Sequence, residues 1–365
     1  MRRLAFALAL LLPASLGAQS TAPLIDYSGL QGLLPPSYDR VDGLSLPIGA
    51  VITLGGGLVV IEPRVAYVSR LGTLDPRVDV SIAPDKAFGL DLNAGRSTRT
   101  NDAWIYGNLV NSVTSLFTGS DVRNYFRSSG GEGRVVGRDS TETFVFSAFV
   151  GARSEQVDPI TAAGNVFSFH GRKSDEKGSR PNPLVESGRL NSGLFGAEFR
   201  DSAGVVRSRG SILVEKSFDT MTGTSAFTQL TVDGHVAFPT FGAQSMAFRG
   251  HLVATAGDRV PRARYAYLGG SGTLPVLELL EQGGDELLFV ESRYLYPLGA
   301  VTLPMVGHPV LTLKHIMGAA GVGSLPNLEQ ELGLGLGLSA LRIDLTTDVA
   351  HHRGSKLGLG ISFGH

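Results

Sequence analysis

Between Leu287 and Leu298 the side chains sort into two rows. Leu288, Val290, Tyr294, Tyr296 and Leu298 make an apolar and aromatic row interrupted by Ser292, while Leu287, Phe289 and Leu295 share the other row with Glu291 and Arg293. Successive residues of a strand point to opposite faces, so this pattern predicts a strand with one greasy side and one polar side. The same period returns along most of the chain. Leu230, Val232, Val236 and Phe238 alternate with Thr231, Asp233 and His235, and Val206, Ile212 and Val214 alternate with Arg207, Arg209 and Glu215. Phe144, Phe146, Ala148 and Val150 line one face of a further segment, and Leu332–Leu338 alternates Leu with Gly. Strands are predicted over 41–53, 58–69, 75–83, 88–99, 142–153, 190–199, 205–218, 228–238, 245–256, 287–298, 308–318, 328–339, 341–350 and 356–364. The fold class is therefore all-β, and alternation by itself fits a large soluble sandwich as well as a membrane barrel. Together with the N-terminal segment, the terminal strand and the wording of the stretch before Leu287, all described below, the expectation is a transmembrane antiparallel β-barrel of about fourteen strands, or about sixteen if a hairpin escapes the pattern within 101–187.

One segment breaks the period. Asp102–Phe117 spaces Trp104, Ile105, Leu109, Val113 and Leu116 nearer to 3.6 than to 2, with Asp102 placed to cap, and predicts one short amphipathic helix. It carries the only Trp, which fits a helix lying at the membrane interface beside the barrel or tucked into its mouth. A helix packed on a soluble sheet is the competing reading. Residues 155–187 read as a long polar loop with Lys173, Asp175, Glu176, Lys177 and Arg180. Long loops of such barrels lie outside the cell and short turns on the periplasmic side. Started upward from the periplasm at Val41, the strands put this loop and the loop before Leu287 outside.

The N-terminus carries Arg2 and Arg3, an apolar run over Leu4–Leu12 and small residues at Ala14, Ser15, Gly17 and Ala18. That is the pattern of a cleaved secretory signal over residues 1–20. Residues 21–37, with Pro23, Pro35 and Pro36, read as a periplasmic tether, leaving 38–365 for the barrel. The chain has no Cys, so disulfides and thiolate metal sites are excluded. Its 32 basic and 33 acidic residues give no reason to expect a nucleic-acid partner. With 48 Gly among 365 residues and a charged fraction of 18%, it suits the crowded inner wall of a barrel better than a helical fold. After the signal no apolar run is long enough for a spanning helix, so a membrane is crossed by strands or not at all.

The stretch before Leu287 adds wording to the pattern. Gly269, Gly270, Gly272, Thr273 and Leu274 form a glycine-rich loop, a short insert ends in Gly284-Asp285, and the strand then carries Glu291, Arg293, Tyr294, Pro297 and Leu298. This resembles the late loop and following strand of the bacterial surface antigen family, the outer-membrane assembly and secretion barrels that include BamA-like and TamA-like proteins. Tyr38–Leu44 is similar to the opening of the first barrel strand in some of its members, and the C-terminal strand with Phe363 resembles an outer-membrane assembly signal. The resemblance implies sixteen strands and a loop folded into the lumen, held there with help from the inward acidic residue, here Glu291. Arg293 or Arg264 is available to pair with it. The sequence departs from the family at Pro275, Val276 and Leu277, where the family has Arg-Gly-Tyr or a near variant. The 21–37 tether is expected to be too short for the periplasmic POTRA domains that BamA-like members carry.

Chemistry is sparse. His351, His352 and His365 offer imidazoles, but adjacent strand residues diverge and no acidic residue has ligand spacing, so a histidine-bearing turn is expected and no metal. His235, His251 and His315 lie on strands with no Ser in a motif that selects a partner, so no catalytic residue and no cofactor is assigned. The glycine-rich loop precedes a strand and lacks the Lys-Ser/Thr of a phosphate loop. Three functions stay open. The resemblance implies an outer-membrane factor that helps polypeptides insert or cross, with outer-membrane lipid and unfolded client polypeptide as partners. A passive pore or ligand-binding barrel is the second, and an anchor for a separate periplasmic partner protein is the third. The inner residues Arg207, Arg209, Arg249, Arg342, Asp233, Asp344 and Asp348 are of mixed sign and give no ion preference.

Overall fold

The computed structural model describes residues 24–29, 32–160, 182–219, 221–299, 308–338 and 341–361. The signal segment, the 161–181 part of the polar loop, and Phe363 and His365 lie outside them.

Alternation builds one antiparallel wall. β1 (Leu24–Tyr27) and β2 (Ser37–Asp39) lie one after the other along β3 (Gly43–Leu54), linked by an isolated bridge from Leu33 to Ile48. There follow β4 (Val59–Val68), β5 (Thr73–Ile82), β6 (Phe88–Arg99), helix α1 (Asn108–Thr118), β7 (Phe126–Ser140), β8 (Phe144–Asp158), β9 (Gly188–Asp201), β10 (Arg207–Asp219), β11 (Thr228–Pro239) and β12 (Ser245–Ala256). A two-stranded ribbon of β13 (Ala266–Leu268) and β14 (Gln282–Gly284) interrupts the wall. The wall resumes with β15 (Glu286–Pro297), β16 (Val310–Gly321), β17 (Glu329–Leu338), β18 (Leu341–Asp348) and β19 (Ser355–Ile361). From β3 onward each wall strand pairs antiparallel with the next, and β12 reaches β15 across the ribbon. The sheet has 17 hydrogen-bonded segments, and counting collinear β1 and β2 as one broken stave leaves sixteen.

Two staves differ from the sequence expectation. Residues 24–39, expected to be largely a tether, form the broken first stave, so β3 runs away from the long-loop end rather than upward from the periplasm. β7 is the other addition. Its sequence, with Gly130, Gly131, Gly133 and Gly137 among charged residues, has little apolar contrast to read. The long connections 100–125, 159–187 and 257–285 nevertheless emerge at one end of the wall.

The wall curls around two of these connections to make the barrel. On the β2 side Tyr38 N donates to Ser112 Oγ at 3.1 Å, and on the β17 side Val276 N donates to Glu331 Oε1 at 2.9 Å. Between them Tyr106 Oη and Ser271 Oγ lie 2.8 Å apart. The inner segments thus link β2 to β17. Among the described residues no paired register joins β19 to β1 or β2.

Inner glycines make room for charge. On β17, Gly333, Gly335 and Gly337 face in while Leu334 faces out, 51% exposed. A Cβ on Gly335 would meet Asp344 Oδ1 at 2.2 Å, the carboxylate that Lys314 Nζ reaches at 3.0 Å and Arg342 Nε at 2.9 Å. Leu332, Leu336, Ile343, Leu345 and Leu357 continue the apolar exterior.

Helix α1 starts later than its sequence pattern predicts. Gly107 is its N-cap, with no side-chain cap bond, and Asp102 instead accepts Asn124 N at 2.8 Å. Its polar face turns inward: Asn111 Nδ2 donates to Asp121 Oδ1 and to Tyr125 Oη at 3.2 Å, and Asn111 Oδ1 accepts Val122 N at 3.3 Å. Leu109 and Phe117 remain exposed. The helix therefore docks through hydrogen bonds and leaves its apolar side outward.

Candidate functional site

The glycine-rich loop folds into the barrel. Gly269, Gly270 and Gly272 have φ of 121°, 78° and 95°, a region that side chains with a Cβ rarely enter. Thr273 stitches the turn: its Oγ1 accepts Gly269 N at 2.9 Å, and its own N donates to Gly270 O at 3.2 Å. Gly272 lies at the apex, where an added Cβ would sit 2.7 Å from Ile105 Cγ2. Leu274, fully buried, joins Leu268, Leu277, Leu287, Phe289 and Ile316 in an apolar cluster between loop and wall. This burial ties the loop to β15 and β16 without any help from charge.

Polar clasps hold its rim. Arg249, from β12, donates through Nη2 to Gly272 O at 2.9 Å and through Nη1 to Ile105 O at 3.4 Å. Its guanidinium also lies over the rings of Trp104 and Phe289, 5.4 and 5.1 Å from their centroids. Trp104 stacks on His251 at 4.2 Å, and His251 Nδ1 meets Asp233 Oδ1 at 2.9 Å. One wall arginine therefore grips both inner segments. On the far side Glu331 accepts Val276 N and Arg353 Nη1 reaches Glu281 Oε1 at 2.9 Å. Pro275 to Leu277 are anchored by this backbone bond and by burial of Leu277.

Glu291 and Arg293 face the lumen together and form a two-point pair at 2.8 and 2.7 Å. Arg264 has other partners. It donates through Nε to Glu215 Oε2 at 2.9 Å, through Nη2 to Glu215 Oε1 at 2.9 Å, and through Nη2 to Glu155. Burial works against this guanidinium, but Glu215 and Glu155 outweigh it and hold its pKa above the ordinary arginine value. Their carboxylates are steadied by Ser192 and Ser128 hydroxyls at 2.6 and 2.7 Å. This triad pins the entry of the loop, just after β12, to β8 and β10.

The structure corrects the reading of the histidine turn. Glu329 and Asp348 lie beside His351, with His351 Nδ1 2.7 Å from Glu329 Oε2, and the ligand atoms of all three lie within 4.8 Å of one another. Acidic partners are thus present, brought from β17 and the end of β18. Arg353 Nη2 stands 3.1 Å from Glu329 Oε1 and already supplies positive charge there.

Beneath the inner segments, toward the short-turn end, lies a cavity of about 620 Å³. Trp104, Val145, Ser147, Glu198, Arg200, Arg209, Asp233, His235 and Arg249 line it. Sequence reasoning identified the glycine loop and the Glu291–Arg293 pair, offered Arg264 only as a partner for Glu291 where the structure gives it Glu215 and Glu155, and gave Arg249 and Trp104 no part in holding the loop, because their partners are remote in sequence.

An antiparallel barrel filled at one end by its own loops is the class of protein this fold defines. No family model matches the chain, and no curated protein matches its sequence. In structure it is similar to CdiB from Acinetobacter baumannii, at 12% identity and a TM-score of 0.47, over 93% of this chain and 59% of that one. CdiB from Escherichia coli gives 10% identity and a TM-score of 0.47 over 94% of this chain and 67% of that one. The copper transporter OprC gives 10% identity and a TM-score of 0.31 over 93% and 57%.

Proposed function

We propose that this protein is an outer-membrane β-barrel that moves polypeptide into or across that membrane, held here in a plugged state. The observation that carries the reading is the glycine-rich loop folded into the lumen and gripped at its apex by Arg249 of the wall. Beside the apolar burial of Leu274 and Leu277, the rim of this plug is held by polar clasps that can be broken without opening the wall, whereas a static filler needs only the burial. The apolar exterior of β17 to β19 suits lipid, and the sequence likeness to outer-membrane assembly barrels points to polypeptide as cargo. Backbone N–H groups of Tyr38 and Arg40 bond to the side chains of Ser112 and Asp121 rather than to a strand. Such an edge is open to strand addition by a client once the side chains withdraw. A solute-transport role is the second reading, favoured by the lined cavity below the plug.

Planar-bilayer recordings test the plug. The folded protein is expected to give a small, flickering conductance that rises in Arg249→Ala. A large, steady conductance unchanged by the substitution would overturn the plugged state. Proteoliposomes test the cargo: an unfolded barrel polypeptide added outside is expected to become protease-resistant faster than with empty liposomes. Equal rates would leave solute transport as the function.

A further inference from the structure

The register of the wall places four basic side chains in one continuous row. Arg200 on β9 is paired directly with Arg209 on β10, Arg209 with His235 on β11, and His235 with Arg249 on β12. The row ends at Glu291 on β15, Arg249's partner, so it runs from near the short-turn end up to the plug. All four basic residues line the 620 Å³ cavity. Arg207, one inward position below Arg209 on β10, adds to the same field.

Two arginines directly opposite each other repel, and sheets avoid such pairs unless something intervenes. Arg249 is committed to Gly272 O and Ile105 O, but Arg200 and Arg209 are exposed to the cavity, with neither a hydrogen bond nor an ion pair to any described residue. The acidic residues of the cavity are Glu198 and Asp233, in the neighbouring inward row, and Asp233 is already bonded to His251. Positive charge is therefore in excess where the two free guanidiniums meet. Guanidinium forks match the oxygens of phosphate and carboxylate groups in two-point geometry.

We infer that Arg200 and Arg209, backed by His235, form a binding site inside the barrel for a small oxyanion, a phosphate or carboxylate group entering from the short-turn end. The bound anion removes the repulsion between the arginines. Arg249 extends the row to the plug, so the site lies at the end of a basic track that reaches the glycine-rich loop.

The test is equilibrium dialysis of radiolabelled inorganic phosphate against the full, folded chain in detergent at fixed ionic strength. Saturable binding near one equivalent is expected. Arg200→Gln and Arg209→Gln should each weaken it about tenfold, one charge-assisted pair's worth, and Arg209→Glu should abolish it. Arg138→Gln, whose partner is Asp91 on another part of the wall, should leave it unchanged. Heat-modifiable gel migration establishes that each variant is folded, and removal of a repelling charge should not unfold the first two. Absence of saturable phosphate binding, or binding equal in Arg200→Gln, Arg209→Gln and the unsubstituted protein, would overturn the site. Because binding is read directly, this result is separate from whether polypeptide or solute is the transported species.

Discussion

Arg264 shows how much a single buried side chain can hold. It is buried between Glu155 and Glu215, which are themselves buried and hydrogen-bonded by serines. A buried pair of this kind adds little net stability over an apolar substitute, yet removing Arg264 leaves Glu155 and Glu215 only the more distant Arg99 and Arg153, each 3.6 Å away. Arg264→Ala should therefore destabilise the protein by about 3–5 kcal/mol, seen as a lower urea midpoint for loss of heat-modifiable migration. Combining Arg264→Met with Glu155→Gln and Glu215→Gln should recover a large part of the loss. A midpoint unchanged in Arg264→Ala would mean water reaches the triad. Gly272 works through backbone shape instead. Its φ of 95° and the 2.7 Å approach to Ile105 leave no place for a methyl group. Gly272→Ala should cost about 1–3 kcal/mol of loop closure, and raise the time-averaged bilayer conductance, as is expected of Arg249→Ala.

Helix α1 is held by its polar side, and Asn111 is the centre of that contact. Asn111→Leu would leave Val122 N and Asp121 short of a partner, at about 1–3 kcal/mol. The backbone amides of Tyr38, Arg40 and Val122 should then exchange with deuterium faster than in the unsubstituted protein, while those of β15 and β16 stay protected. The inverted face of this helix also explains the limits of the sequence reading. Period 3.6 in Trp104, Ile105 and Leu109 was legible, but Trp104 and Ile105 lie ahead of the helix, under the plug. Strands with apolar contrast between faces, such as β11 and β15, were legible almost to the residue. β7 was not, since its glycines and charges leave only Phe126 at its start and the adjacent pair Val135 and Val136 to mark it, and the first stave was broken up by Pro35, Pro36 and its glycines. In the site, local geometry was readable: three glycines in a turn, and Glu291 two positions from Arg293 on one face. What a side chain meets across 109 residues, as Arg264 meets Glu155, has no local signature.

The whole molecule sets two opposite rules for substitution. On the outward apolar side of β17, which the proposed function turns to lipid, Leu334→Arg should lower stability by about 2–4 kcal/mol in liposomes, as expected near the bilayer midplane. On the lumen side of the same strand, Gly337→Ala should be nearly neutral, because its Cβ would find Val310 O no nearer than 3.6 Å. Equal urea midpoints for the two variants would argue that this face does not meet lipid. The meander of the wall has a further consequence, for the order in which the chain assembles. Most rungs join strands that are neighbours in sequence, so hairpins can add one to the next with little loop closure. The plug is different: Asn101 reaches Ala263 across 162 residues, Tyr106 reaches Ser271 across 165, and Arg249 reaches Ile105 across 144. Contacts that distant form late, after the wall has brought their elements together. What closes last in folding is also what can open without undoing the rest, so the bonds that finish folding are the ones through which the proposed release of the plug would proceed.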